Sequence, residues 1–204
     1  LRFENDANCF ALSEAVDGAA RGRRLVFGAI LGTGAGGGIV LDGRILGGAN
    51  AIGGEWGHNP LPWMSAEEFP GPACYCGRIG CIERFVSGPA LADEHARATG
   101  ARLEPSAIVA GADAGDPGCV RSLERYERRL ARALAHVINL LDPDVVVLGG
   151  GLSGVARLYA NVPRLWPEYV YSDEVHTALA CAVHGDASGV RGAAWLWGRK
   201  DEES

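Results

Sequence analysis

Residues 117–151 constrain the fold of this chain more than any other stretch. Across 117–141, Val120, Leu123, Tyr126, Leu130, Leu134, Val137, Ile138 and Leu141 recur at the three- and four-residue spacing of one helix face, which predicts a long core helix. The segment that follows, DPDVVVLGGG at 142–151, supplies a turn, an uninterrupted apolar strand and three glycines. A strand without polar alternation has to be covered on both faces, as in a parallel sheet flanked by helices. The class is therefore α/β. Ligands of such sheets collect at the carboxyl ends of the strands, where Gly149, Gly150 and Gly151 fall.

The rest of the chain fits that frame. ENDANCFALSEAVDGAA predicts a helix with Phe10, Leu12, Ala15 and Val16 mostly on one face and Asp6 at its N-terminus. RLVFGAILG at 24–32 has the length and composition of a strand, GTGAGGG at 32–38 reads as a glycine turn, and GGIVLDGRILGG reads as two short strands around Asp42-Gly43. A helix resumes over 87–98 behind a Ser cap and Pro89. A helical segment from about 154, a strand near 177–183 and a closing helix in SGVRGAAWLWGRK complete the reading. Neither glycine cluster matches the Walker pattern, so each alone is weak. A glycine turn leaving a strand nevertheless exposes N–H groups to phosphate oxygens, and Thr33 adds a hydroxyl, so the two clusters together point to ATP.

The cysteines are clustered in a way that disulfide frameworks are not: of six, Cys74, Cys76 and Cys81 lie within eight positions. Zinc takes four soft or borderline donors in a tetrahedron, and the nearest upstream histidine is His58. Three thiolates and one imidazole would close the site, with Gly77 and Gly80 letting the loop turn tightly. His95, His136, His176 and His184 have no second donor at ligand spacing and read as surface or interior side chains.

Composition removes other classes. A formal charge of −6 with no dense cationic run argues against a nucleic-acid surface. No apolar run long enough for a membrane span and no leader-like segment is visible, which sets the expectation of a cytoplasmic protein.

Taken in order, ENDAN, GTGAGGG, GGEWGHNPLPW, CYCGRIGCIERFVSG, DPDVVVLGGGLS and HGDASGVRGAAWLW resemble the ROK family of sugar kinases and repressors, most of all its bacterial fructokinases. The resemblance implies an actin-like (hexokinase/ribonuclease H-like) fold whose two lobes close on sugar and ATP. It implies Asp6 as catalytic base, and Asn5, Glu55, His58 and Glu83 as the sugar site. It further implies zinc on His58, Cys74, Cys76 and Cys81, and Gly32, Thr33, Gly34, Gly149, Gly150 and Gly151 facing a nucleotide that arrives with Mg2+. A hydroxyl attacking a γ-phosphate needs a positioned carboxylate to accept its proton, a role Asp6 suits, and sugars are read by paired carboxylates and amides. The expected reaction is phosphorylation of fructose to fructose 6-phosphate. The alternatives are an N-acetylglucosamine or glucose kinase, a repressor's effector-binding domain, or a noncatalytic zinc-binding sugar module. The family's opening strand and Gly-Gly-Thr-Lys loop do not precede ENDAN here. The expectation is therefore a C-terminal lobe over 1–187, with 188–204 as a helix packing toward the other lobe and a homodimer as the assembly.

Overall fold

The computed structural model describes residues 4–197. Helix α1 (Asp6–Asp17) leads into strands β1 (Leu25–Leu31), β2 (Ala35–Leu41) and β3 (Arg44–Ile45). After an irregular span come α2 (Glu83–Val86), α3 (Gly88–Thr99), α4 (Pro105–Asp113) and the long α5 (Pro117–Leu141). The chain then forms β4 (Val145–Gly149), α6 (Arg157–Leu165), β5 (Ala178–Cys181) and α7 (Ser188–Trp195). The five strands make one sheet in the order β3-β2-β1-β4-β5. β1 pairs with β2 antiparallel and with β4 in parallel, and β4 pairs with β5 in parallel.

The apolar run of β4 is covered on both faces. Val145 and Val147 pack with Phe10, Ala11 and Leu12 of α1, whereas Val146 and Leu148 join the larger cluster that holds Leu130, Leu134 and Ile138 of α5. A fully buried side chain of this size is worth about 1.5–3 kcal/mol, so the two clusters dominate stability. α5 starts where Asp116 accepts the Cys119 N–H at 2.8 Å and Pro117 occupies the first turn, and it stops at Asp142 in the left-handed region. These bounds coincide with the periodicity. At the β2–β3 turn both Asp42 and Gly43 have positive φ, the geometry that a two-residue hairpin loop needs.

Three elements differ from the sequence reading, one of them the short α2, which that reading lacks ahead of the helix at 87–98. The glycine turn is shorter than 32–38, because Ala35–Gly38 already belong to β2 and only 32–34 form the bend. α4 was not foreseen: its small residues give little periodicity, and only Ile108 and Ala112 are buried. The closing helix ends at Trp195, and residues 198–200 of its expected range lie outside the described residues. Trp195 and Leu196 pack with the core on the α1 side, while Val190, Ala193 and Ala194 are exposed.

The joint between α1 and α7 is polar at its centre. Glu14 is fully buried, and its carboxylate accepts the N–H groups of Ala19 (2.8 Å), Val183 (3.1 Å) and His184 (3.3 Å) and the Ser188 hydroxyl (2.8 Å). Four donors offset the desolvation of one charge and tie the start of α7 to α1 across the sequence. Truncation would leave all four unpaired. Glu14→Ala is therefore expected to cost at least about 3 kcal/mol, read as a lower urea midpoint, with Ser188→Ala costing about 1 kcal/mol.

Candidate active site

Asn5, rather than Asp6, caps α1: its side-chain oxygen accepts the Ala7 N–H at 2.7 Å, and Asp6 is the first helical residue. The Asp6 carboxylate is exposed at the first turn of the helix, and its Oδ1 accepts the Ala7 N–H at 2.8 Å. The Asn5 amide nitrogen donates to Glu55 Oε1 at 3.1 Å, joining the start of α1 to a residue fifty positions away. Glu55 is held in turn by its neighbours. Trp56 is buried edge-on against Phe27, with ring centroids 5.6 Å apart, and donates Nε1 to the Gly36 carbonyl at 2.8 Å. Gly57 lies so close to β2 that a Cβ would sit 1.8 Å from the Ala35 oxygen. The GGEWGH motif is thus a close-packed brace that presents Glu55 and His58 from the sheet edge.

Glu83 enters from the other side, at the first turn of α2. It is buried, and its Oε2 accepts the Ala35 N–H at 3.0 Å, leaving the rest of the carboxylate to other partners. Gly34 abuts this carboxylate, since a Cβ there would lie 2.6 Å from Glu83 Oε2.

Parallel pairing of Ile30 with Gly149 sets the two glycine turns side by side. Gly150, at φ +80°, runs 2.7 Å from the Leu31 oxygen at its would-be Cβ, a position that only glycine occupies without strain. A cavity of about 960 Å³ opens beyond them, lined by Gly32, Thr33, Gly151, Pro89, Ser106 and Val155. That volume lies within the range of small-molecule sites. Gly34 and Gly149 are placed differently: Gly34 abuts Glu83, and Gly149 packs on the Phe10 ring.

His58, Cys74, Cys76 and Cys81 gather with all ligand atoms within 4.8 Å of one another. Cys76 Sγ lies 3.6 Å from Cys81 Sγ, and Cys74 Sγ lies 3.7 Å from His58 Nδ1. Those separations match the edges of a tetrahedron around an ion with Zn–S bonds of about 2.3 Å, so the donor set fits such an ion. The Arg78 backbone N–H holds the Cys76 thiol well below its ordinary value, which favours a thiolate. The other ring nitrogen of His58, Nε2, is 3.0 Å from the Tyr75 hydroxyl. Tyr75 was not singled out from the sequence. Its phenol is pushed up, first by the charge of the Glu83 carboxylate and in smaller part by partial desolvation and the charges of Cys74, Cys76 and Glu55.

This arrangement matches known proteins along nearly its whole length. The ROK family signature covers residues 1–200. The chain belongs to the ROK family. It is 42% identical over 200 residues to an N-acetyl-D-glucosamine kinase of Photobacterium profundum, covering 96% of this chain and 66% of that protein. Among solved structures, the ROK hexokinase of Thermus thermophilus superposes with a TM-score of 0.83 at 35% identity, covering 95% of this chain and 64% of that one. A ROK family glucokinase of Streptomyces griseus, solved with glucose and AMPPNP, gives 0.82 at 31%, covering 95% and 66%. The ROK chain described here thus spans just under two thirds of the length of the relatives it matches, and it shares their α/β, actin-like kinase fold.

Sequence reasoning also missed how the cysteine loop of this ROK chain is tethered. Glu68 Oε1 accepts Arg129 Nε at 2.9 Å and an Arg132 guanidinium nitrogen at 2.8 Å, while Oε2 accepts a second Arg132 nitrogen at 2.8 Å and the Ser65 N–H at 3.0 Å. The only sequence signal was a pair of arginines on the buried face of α5. Burial works to raise the Glu68 carboxyl, but the hydrogen bonds from Arg132, Arg129 and Ser65 outweigh it and hold it at about 2, against an ordinary value of 4.5. Because the folded value is depressed, this stabilisation is complete above pH 4.5 and is lost as pH falls through about 2. Urea midpoints measured down this range should fall less steeply in Glu68→Gln than in the unaltered protein, and Glu68→Gln should already be the less stable at pH 7.

Proposed function

We propose that this chain, over residues 1–187, is the sugar- and nucleotide-holding lobe of an ATP-dependent sugar kinase acting on N-acetylglucosamine, with 188–204 turned toward its other lobe. The observation that carries the reading is the Asn5–Glu55 hydrogen bond. It fixes the helix start that bears Asp6 beside a sugar-type acceptor, near the glycine turn between β1 and β2, since Ala7 lies against Gly36. Asp6, carried at the start of α1, accepts the proton of the attacking sugar hydroxyl. Asn5, Glu55, Glu83 and His58 hold the other hydroxyls and orient the nucleophile, which is where much of the rate gain of such a transfer arises. The Thr33 hydroxyl and the N–H groups around Gly32 and Gly151 hold phosphate oxygens in the cavity. Mg2+ arriving with ATP neutralises charge on the transferred group.

The motifs by themselves suggest fructose. The relatives favour N-acetylglucosamine, because those 40–42% identical bear the name N-acetyl-D-glucosamine kinase. A coupled ADP-release assay on the full-length protein should give a kcat/KM for N-acetylglucosamine at least about tenfold above those for fructose and glucose, a span that one extra pocket contact can supply. Asp6→Asn should lower kcat about 10²–10⁴-fold with KM little changed. Full turnover in that variant would move the base elsewhere.

His58, Cys74, Cys76 and Cys81 hold a structural zinc in this reading, a closed site without an open coordination position. It keeps the loop before Glu83 and the imidazole of His58 in register with the sugar. Elemental analysis of protein purified without chelators should find one zinc per chain, and Cys76→Ser should lose the metal and melt at a lower temperature. Metal-free protein with an unchanged melting temperature would refute the assignment.

A further inference from the structure

Away from the proposed catalytic mouth, a second cleft of about 560 Å³ lies between the 63–69 segment, α3 and α5. None of Asp6, Asn5, Glu55, Glu83 or Thr33 lines it. Its floor is rigid and charge-balanced: Glu68 is shared by Arg129 and Arg132, and Glu94 accepts Arg125 Nε at 2.6 Å. Its rim is not balanced. Arg97, in the last turn of α3, and Arg128, on α5, form no ion pair among the described residues, and both side chains are exposed in a protein whose net charge is −6. One wall is aromatic, with the Trp63 and Tyr169 rings 5.4 Å apart at 37° and Trp63 half exposed. A further carboxylate, Glu67, also lines the cleft without an ion pair among the described residues.

We propose that this cleft binds the phosphomonoester of a sugar. Guanidinium groups match phosphate oxygens in a two-pronged geometry that ammonium groups do not, and Arg97 and Arg128 are the two left free to offer it. The aromatic wall suits the C–H face of a pyranose ring, Glu67 accepts from its hydroxyls, and the volume is that of a small-molecule site. Simple surface arginines would need neither a cavity nor an aromatic wall. The proposal stands apart from the kinase reading, since it uses none of the residues that reading assigns.

The test is isothermal titration of the full chain with glucose 6-phosphate and N-acetylglucosamine 6-phosphate, with inorganic phosphate and the two unphosphorylated sugars as separate arms. Saturable binding of the sugar phosphates is expected, weaker binding of inorganic phosphate, and no competition from the unphosphorylated sugars. The double variant Arg97→Ala/Arg128→Ala should weaken sugar phosphate binding at least about tenfold while Glu83→Gln leaves it unchanged. Should the double variant melt early, Arg97→Lys/Arg128→Lys, which keeps charge but loses the fork, should still weaken binding. No saturable binding, binding unaltered by the arginine variants, or binding abolished by Glu83→Gln would each overturn the proposal. That last result would leave the kinase reading intact, because it would put the sugar phosphate in the catalytic mouth.

Discussion

The parallel pairing of β1 with β4, in which Val26 meets Val145 and Ile30 meets Gly149, carries the whole arrangement. Parallel strands require a long connection, and everything from β2 to α5 is that connection. Both strands therefore end on the same edge of the sheet, and their glycine turns lie next to each other. The Leu31 carbonyl accepts the Leu152 N–H at 3.1 Å, fastening the second turn to the end of the first strand. Without this pairing the two glycine clusters would be unrelated loops, and the cavity between them and α3 and α4 would have no floor.

The sheet then divides its helices. α1 and α7 cover one face and α5 with its neighbours the other, so alternate valines of one short strand belong to two different cores. Asp6 is carried by the helix on the first face, whereas Glu83 enters from α2, whose Phe85 and Val86 belong to the core on the second. The two reach a common region because β2 contacts both: the Ala35 N–H binds Glu83, and the Gly36 carbonyl binds Trp56, next to Glu55.

The span between β3 and α2 has little regular structure, and its position depends on polar anchors at each end. Trp56 and Gly57 fix its start to β2, Glu68 fixes its middle to α5 through two arginines, and the four metal-type donors gather its end. Arg129 also sits over the Phe85 ring at 5.4 Å, so the same guanidinium braces both the loop and the short helix bearing Glu83. Side-chain charge thus does for this segment what backbone ladders do for the sheet.

Local chemistry determined much of this protein in advance. The 3.6-residue period of α5, the apolar run of β4, the Asp-Gly turn at 42–43 and the crowding of three cysteines are properties of neighbouring residues, and each forms the element its pattern requires. The ordered motifs likewise identified the family. What the sequence did not reveal depends on contacts between distant segments. Nothing near Asn5 shows that its amide will meet Glu55, nothing near Glu14 or Glu68 shows that four N–H and O–H groups or two guanidinium groups will close on them, and nothing in GTGAGGG separates turn glycines from strand glycines. A carboxylate's role is set by the donors around it, and a glycine's by the backbone that approaches it. Only the packed chain brings those partners within reach, because only burial makes an unpaired charge or an extra methyl group too costly to keep.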